Sequence, residues 1–516
     1  MACGALLSCG ATARKEALLQ FLAETPAREG RDWCMSRSVE QDISVKSKAY
    51  LEQTFRVHRW RQEPGFGDLA LPERSVFHAL ENNRLGLVLL LAPAGHGKSR
   101  FAEAMEARLC GSMPILRLDV AGEFDLTLST AKDDAVPLQL IRQLKVPAGD
   151  RQAEFRTLMA KARWVLVVEN LHDVPAARRP RVIDALHTFV ARYPRQVQIV
   201  VMTRPELRLT TDAMLPFDTV LEIAPLDCAR TDLLAQIQLG AAASRLRPWL
   251  AAHGIDAPVS SDTQCSYRHL QTFRAVRAAT DAAKAMGIDK GDGSTALRGL
   301  RSTAVEQFVL GLLKSDMAKV QATAVQGLEI AAWMAGAQPS AVLASDVVFK
   351  HEQCVAFARQ ARMQHPEETC RRLLDTALFT PIVGQGVWRL AAPPLDDLVR
   401  AKAVAGKLAA GGCAAVAAQA LVVRHGQTAA LLMGQAAAQA CMAEVADALC
   451  VGSTPESVAR QLSLGLPEGA SRANLWARTA VPSPGCAEDA LVRLGLPKPV
   501  RTPAPMPTGS TATTAP

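Results

Sequence analysis

The sequence predicts an α/β fold, a parallel sheet with helices on both faces built around a P-loop, followed by helical and winged-helix domains. Three observations carry that expectation. Between about residues 70 and 225, short aliphatic runs alternate with amphipathic helical stretches, the pattern of a doubly wound sheet. One of these runs leads straight into a glycine-rich turn that opens a helix. Beyond about residue 230 the pattern becomes helical, broken near 380 by two short apolar stretches around Gly384-Gln385-Gly386.

In chain order, residues 1–60 read as an N-terminal helical segment, with Leu18, Leu19 and Phe21 on one face. Pro64-Gly65-Phe66-Gly67 marks a loop. A nucleotide-binding domain is expected over 70–228. Its strands are the runs Leu87–Leu91, Ile115–Leu118, Val165–Val168, Ile199–Met202 and Val220–Ile223, continuous enough to be buried on both faces. Between the third and fourth runs, Val182, Ile183, Leu186, Phe189, Val190 and Tyr193 recur at helical spacing. Residues 229–365 read as a helical domain with loops at 257–266 and 291–294. Helix, two short strands, helix over 366–405 is a winged-helix pattern. Ala-rich helices follow over 406–480, and a Pro/Ser/Thr-rich tail over 481–516 is expected to be disordered.

Composition narrows the setting. Aromatic residues make up only 5% of the chain, so its cores must be aliphatic. The net charge of +8 comes without any block of Lys and Arg, which argues for a solvated surface rather than an acidic partner. Twelve cysteines are scattered without a C-x-x-C pair or histidines at zinc spacing, so reduced thiols in a cytoplasmic protein are expected. Arg14, Lys15 and Glu16 interrupt the N-terminal apolar stretch, which makes a poor signal peptide. The longest apolar run, Leu408–Val423, is dominated by Ala and Gly and falls short of a membrane span.

The chemistry concentrates in Ala92-Pro93-Ala94-Gly95-His96-Gly97-Lys98-Ser99, which fits G-x-x-x-x-G-K-[ST] with Ala92 at the first glycine. Gly95 and Gly97 let backbone N–H groups curl around phosphates without a clashing Cβ. The helix N-terminus adds its partial positive charge. Lys98 would reach the β- and γ-phosphates and the Ser99 hydroxyl would ligate Mg²⁺. The cradle is thus Ala92, Gly95, His96, Gly97, Lys98, Ser99 and Arg100, with ATP or ADP and Mg²⁺ as its cofactors. His96 sits at a variable position of the loop. Trp164–Glu169 is an apolar run ending in a carboxylate, placed to stand beside Mg²⁺. Asp173 would position an attacking water as general base. Arg204, after the run that ends at Met202-Thr203, would stabilise the γ-phosphate.

In order and spacing, these pieces resemble the NACHT-type NTPases of the STAND class, relatives of the NOD-like receptors. Met113–Leu118 looks like the family's second strand and Glu169–Pro175 like its extended acidic motif. Ala191-Arg192-Tyr193-Pro194 with Met202–Pro205 resembles its arginine motif, and Leu221–Leu226 the strand that leaves the core. Val387–Leu390 with Leu395–Leu398 and Ala401 resembles the close of its winged-helix domain. The likeness covers about residues 70–405. It implies a switch in which an ADP-bound closed monomer senses a protein or ligand trigger. The ATP-bound form then assembles into a homo-oligomer, in some members for defence. It also implies that Lys98, Ser99 and Arg204 contact nucleotide or metal. The chain departs from the family at Glu169 and His172, where acids are usual (Asp at the first), and at Ala392, where a histidine contacts the β-phosphate. These departures bear on hydrolysis more than on binding.

Two other functions stay open on the residues alone. A degenerate P-loop would bind nucleotide as a scaffold without turnover. A winged helix could read DNA, yet Arg371, Arg372, Arg389, Arg400 and Lys402 form no concentrated basic helix, so nucleic acid is not the expected partner.

Overall fold

The structure, a computed structural model, describes residues 13–22, 24, 51–60, 70–82, 84–109, 112–121, 135–175, 177–193, 196–208, 211, 215–260, 265–290, 300–344, 347–382, 385–466 and 485–494. The chain forms two compact units, one of Met1–Ser244 and Asp256–Thr280, the other of Arg245–Ile255 and Asp281–Pro516.

The first unit contains α1 (residues 13–22), β1 (Thr54–Arg59), β2 (Ala70–Pro72), α2 (Glu73–Glu81), β3 (Leu87–Leu91), α3 (Lys98–Leu109) and β4 (Ile115–Asp119). It continues through α4 (Ala135–Gln143), α5 (Asp150–Lys161), β5 (Trp164–Glu169), α6 (Arg179–Arg192), β6 (Val197–Thr203), β7 (Thr219–Ile223) and α7 (Cys228–Leu239). After α8 (Leu246–Ala252), which lies in the second unit, the hairpin β8 (Pro258–Ser260) and β9 (Cys265–Tyr267) and the start of α9 (Phe273–Ala285) belong to the first.

Seven strands form one sheet in the order β2-β1-β7-β3-β6-β5-β4. The five from β7 to β4 are parallel, and β1 and β2 add an antiparallel edge. Side chains alternate along each strand, so the aliphatic runs feed two cores. Leu89, Leu91, Leu166, Val168, Ile199 and Val201 face one core with Leu18, Phe21 and Leu22 of α1 and Phe155 of α5. Val88, Leu90, Val165, Val167, Val200 and Met202 face the other with Phe77 of α2 and Phe101 of α3. The expected α/β sheet with helices on both faces is present.

Four expectations are corrected. Thr54–Arg59 is a strand rather than part of a helical segment. Phe55 and Val57 are buried while Arg56 is exposed, a period of two that fits pairing with β7. Strands also occur past residue 230, where a wholly helical stretch was expected. The loop-like 257–266 contains a hairpin in which Pro258 pairs with Tyr267, and Val348–Lys350 is a further strand, β10. The tail expected to be disordered contains a helix at Cys486–Arg493, with Ala487, Ala490, Leu491 and Leu494 buried at helical spacing; its remaining residues lie outside those described.

The fourth correction concerns the cysteines. Among the described residues eight of them pair, as Cys228–Cys265, Cys354–Cys370, Cys413–Cys441 and Cys450–Cys486. Partners lie 16 to 37 residues apart and meet only through packing, so no local spacing announces them.

The second unit is helical. It holds α10 (Arg301–Ala318), α11 (Ala324–Gly336), α12 (Ser340–Leu343), β10, α13 (His351–Gln360), α14 (Pro366–Leu374), β11 (Phe379–Ile382), β12 (Val387–Leu390) and α15 (Leu395–Gly411). It closes with α16 (Ala415–Val423), α17 (Thr428–Leu432), α18 (Ala436–Ala440), α19 (Met442–Leu449), α20 (Pro455–Ser463) and α21 (Cys486–Arg493). β10, β12 and β11 form an antiparallel sheet in that order. Among the described residues no helix is long and apolar enough to cross a membrane.

Candidate functional site

Strand β3 lies between the parallel strands β6 and β7, with Leu91 opposite Thr203 and Glu222. The chain turns out of the sheet at Ala92, whose N–H donates to the Thr203 carbonyl at 3.1 Å. Gly95 and Gly97 follow with φ of +82° and +95°, a conformation that strains any residue with a Cβ. Space forbids a side chain as well: a Cβ on Gly95 would stand 2.9 Å from Cβ of Arg274, and one on Gly97 2.8 Å from Nε2 of Gln53.

The chain then enters α3 at Lys98. Its ammonium reaches back across the loop to the carbonyls of Ala92 at 2.6 Å and Pro93 at 3.1 Å. Ser99 and Arg100 are exposed on the first turn of α3, where Arg100 pairs with Glu103 at 2.9 Å. His96 is buried within the loop, and its Nδ1 has no hydrogen-bond partner among the described residues. Burial and the Lys98 ammonium hold its pKa down at about 4, so the imidazole is neutral at neutral pH.

The acidic half of the site stands farther along the sheet. Glu169 ends β5, and β6 lies between β5 and the loop-bearing β3. Two strand spacings separate them, roughly 10 Å. The Glu169 carboxylate receives two hydrogen bonds from Arg117 of β4, at 2.6 Å from Nε and 3.1 Å from Nη2. Burial pushes the Glu169 pKa up, and Arg117 opposes that rise. Asn170 turns the chain in the left-handed region, φ 60°, and its amide donates to Asp119 at 3.0 Å. Asp173 is buried in the next turn, with an oxygen 3.6 Å from Nε2 of His172. Arg204 follows Thr203 at the tip of β6, half-buried.

The structure therefore brings Ala92–Arg100 together with the Thr203–Arg204 strand tip, and ties Glu169 to Arg117. It also brings in residues that the sequence did not single out. The N–H of Arg274 donates to the Gly95 carbonyl at 3.3 Å, and the Thr272 hydroxyl caps α9 by accepting from the N–H of Ala275 at 3.0 Å. Gln53 approaches from the start of β1. Nothing in local sequence joins residue 53 or 274 to residue 97, because only the sheet edge and the hairpin carry them there.

A second cluster, Asp396, Asp397 and His425, places three possible ligand atoms within 4.8 Å of one another. Asp397 is already occupied, accepting from the N–H of Gln427 at 3.0 Å and the hydroxyl of Thr428 at 3.3 Å. Asp396 lies 3.5 Å from Arg400. These bonds pin the start of α15 to the start of α17.

No protein-family model and no curated protein matches the chain. Among solved structures, Cdc6p of Pyrobaculum aerophilum is similar at 13% identity, over 65% of this chain and 93% of that one, with a TM-score of 0.31. Two single-residue variants of RuvB of Thermotoga maritima are similar at 12% and 14% identity, each over 62% of this chain and over 90% and 89% of their own, with TM-scores of 0.33. The strand order and the loop carry the assignment of the fold. The first unit is a P-loop α/β fold.

Proposed function

We propose that the chain is an ATP-dependent switch of the NACHT/STAND type. It binds Mg-ATP or ADP at the Ala92–Ser99 loop and changes conformation or assembly state when a protein or ligand trigger is sensed. One observation carries the nucleotide reading: two glycines at positive φ, backed by a buried parallel strand, lead into a helix that starts at a lysine. Such a loop turns successive N–H groups toward an anion at a helix N-terminus. Ser99, exposed on the first turn, would hold Mg²⁺, which would neutralise charge on the phosphates. Arg204 and Arg274, near the same loop, would add positive charge.

We read α14, β11, β12 and α15, with β10 as third strand, as the winged helix of the switch. Its cations support an internal role over nucleic-acid binding. Arg371 and Arg372 pair with Glu368, Arg400 with Asp396 and Lys402 with Glu306. This leaves only Arg389 of the five, exposed on β12, outside these pairs and gives no concentrated charge for a phosphate backbone.

Titration of fluorescent ATP and ADP with Mg²⁺ tests the proposal. Lys98→Ala should weaken binding by about 1.5–3 kcal/mol, the range for a charge-assisted hydrogen bond, with an unchanged melting temperature as the control for folding. Equal binding by both proteins would remove the loop from the site. The Arg117 clamp on Glu169 favours a second reading, a nucleotide-binding scaffold without turnover. Phosphate release by the wild type that Glu169→Gln abolishes supports the hydrolysing switch; binding without release supports the scaffold.

A further inference from the structure

Gln53 stands just before β1, and its backbone is clamped. Its N–H donates to the Glu73 carboxylate at 2.8 Å and its carbonyl accepts from the N–H of Glu73 at 3.0 Å. Glu73 is itself fully buried and lies 3.3 Å from Arg108. So held, the side chain runs to the P-loop, with Nε2 at the position where a Cβ on Gly97 would collide. Gln53 is only 1% exposed, and neither Oε1 nor Nε2 has a hydrogen-bond partner among the described residues. A primary amide buried with both ends unpaired is costly, and in native proteins such groups usually meet a partner. Close packing at Gly97 and the backbone clamp keep this one where it is.

We propose that Gln53 is a ligand-recognising residue of the nucleotide site and contacts the nucleoside half of the ligand rather than its phosphates. The inference rests on the nucleotide reading of the same loop. The amide presents a donor group at Nε2 and an acceptor at Oε1. Phosphate oxygens only accept, so a phosphate would satisfy Nε2 and leave Oε1 buried and unpaired. A ribose hydroxyl or a purine edge offers an acceptor together with a donor and satisfies both atoms.

The test compares wild type with Gln53→Met, an apolar side chain of similar length, by calorimetric titration with Mg-ATP and with inorganic tripolyphosphate. The expected result is about a tenfold loss of ATP affinity, the scale of one or two hydrogen bonds, with tripolyphosphate affinity unchanged. The melting temperature of the nucleotide-free variant should hold or rise, because the substitution removes an unpaired buried amide. Equal losses for both ligands would overturn the proposal in favour of a phosphate contact. Unchanged ATP affinity would reduce Gln53 to a structural residue. Gln53→Asn, which keeps the amide but withdraws it by one methylene, should show a partial loss of ATP affinity alone and provides a second variant should Gln53→Met fold poorly. Lys98→Ala should weaken both ligands, so failure of wild type to bind either one would count against the loop itself, separately from Gln53.

Discussion

His96 shows how a single residue inside the loop couples the site to pH. It sits between the two glycines of the loop, and burial with Lys98 close by disfavours a second positive charge. The folded pKa is about 4 against 6.5 for an ordinary histidine. Between those values the unfolded chain binds the extra proton and the folded chain does not. Stability is therefore fully present above pH 6.5 and declines as pH falls toward 4, by about 3 kcal/mol for this group alone. Urea unfolding of wild type and His96→Gln at pH 7 and pH 4.5 checks this. The variant should lose distinctly less stability between the two conditions, and parallel losses would mean that His96 accepts protons in the folded state. The sequence placed His96 at a variable position of the loop, and its spacing gave no hint of burial. That property comes from the packing around the loop and is invisible to the motif.

At the scale of elements, the hairpin and the turn after it decide what lies against the P-loop. Asp256 is buried and its carboxylate accepts from the N–H groups of Ala257, Arg268, His269 and Leu270, at 2.9, 3.1, 2.6 and 3.0 Å. That one side chain shapes the segment leading to Thr272–Arg274. Asp256→Ala would leave the buried N–H of Leu270 and the part-buried N–H groups of Ala257, Arg268 and His269 without this acceptor. Only the buried donor incurs the full cost, so a loss of about 1–3 kcal/mol is expected. ATP affinity should fall too, since the Arg274 contact with Gly95 depends on this turn. Thermal melts and ATP titrations of the variant check both effects, and an unchanged melting temperature would show that the carboxylate is dispensable. Elements with strong periodicity were legible in the sequence: all five parallel strands, the helix opened by Lys98, and the helix–strand–strand–helix order over 366–405. What escaped was short or non-local. β1 pairs with β7, which lies more than 150 residues away in the chain. β8, β9 and β10 span three residues each, too few for a pattern to show.

At the scale of the whole molecule, the cystines reach across elements that the sequence presents as independent. Cys228–Cys265 fastens the first turn of α7 to β9, Cys354–Cys370 joins α13 to α14 inside the core, and Cys413–Cys441 and Cys450–Cys486 bind the Ala-rich helices together. Those helices need such ties. Alanine buries little apolar surface, so a core of Ala side chains yields less per residue than one of Leu or Phe. Each cross-link would contribute about 2–4 kcal/mol by restricting the unfolded chain. Reduction should therefore lower the melting temperature markedly, by more than loss of any one core contact would. Alkylation of the denatured protein without reductant, followed by mass spectrometry, gives the thiol count directly. With twelve cysteines in the chain and eight paired among the described residues, at most four should be labelled, rising to twelve after reduction. Labelling of all twelve without reductant would restore the reduced, cytoplasmic picture that the scattered spacing suggested. In that event the Ala-rich helices would have to hold together by packing alone, and reductant would leave the melting temperature where it was.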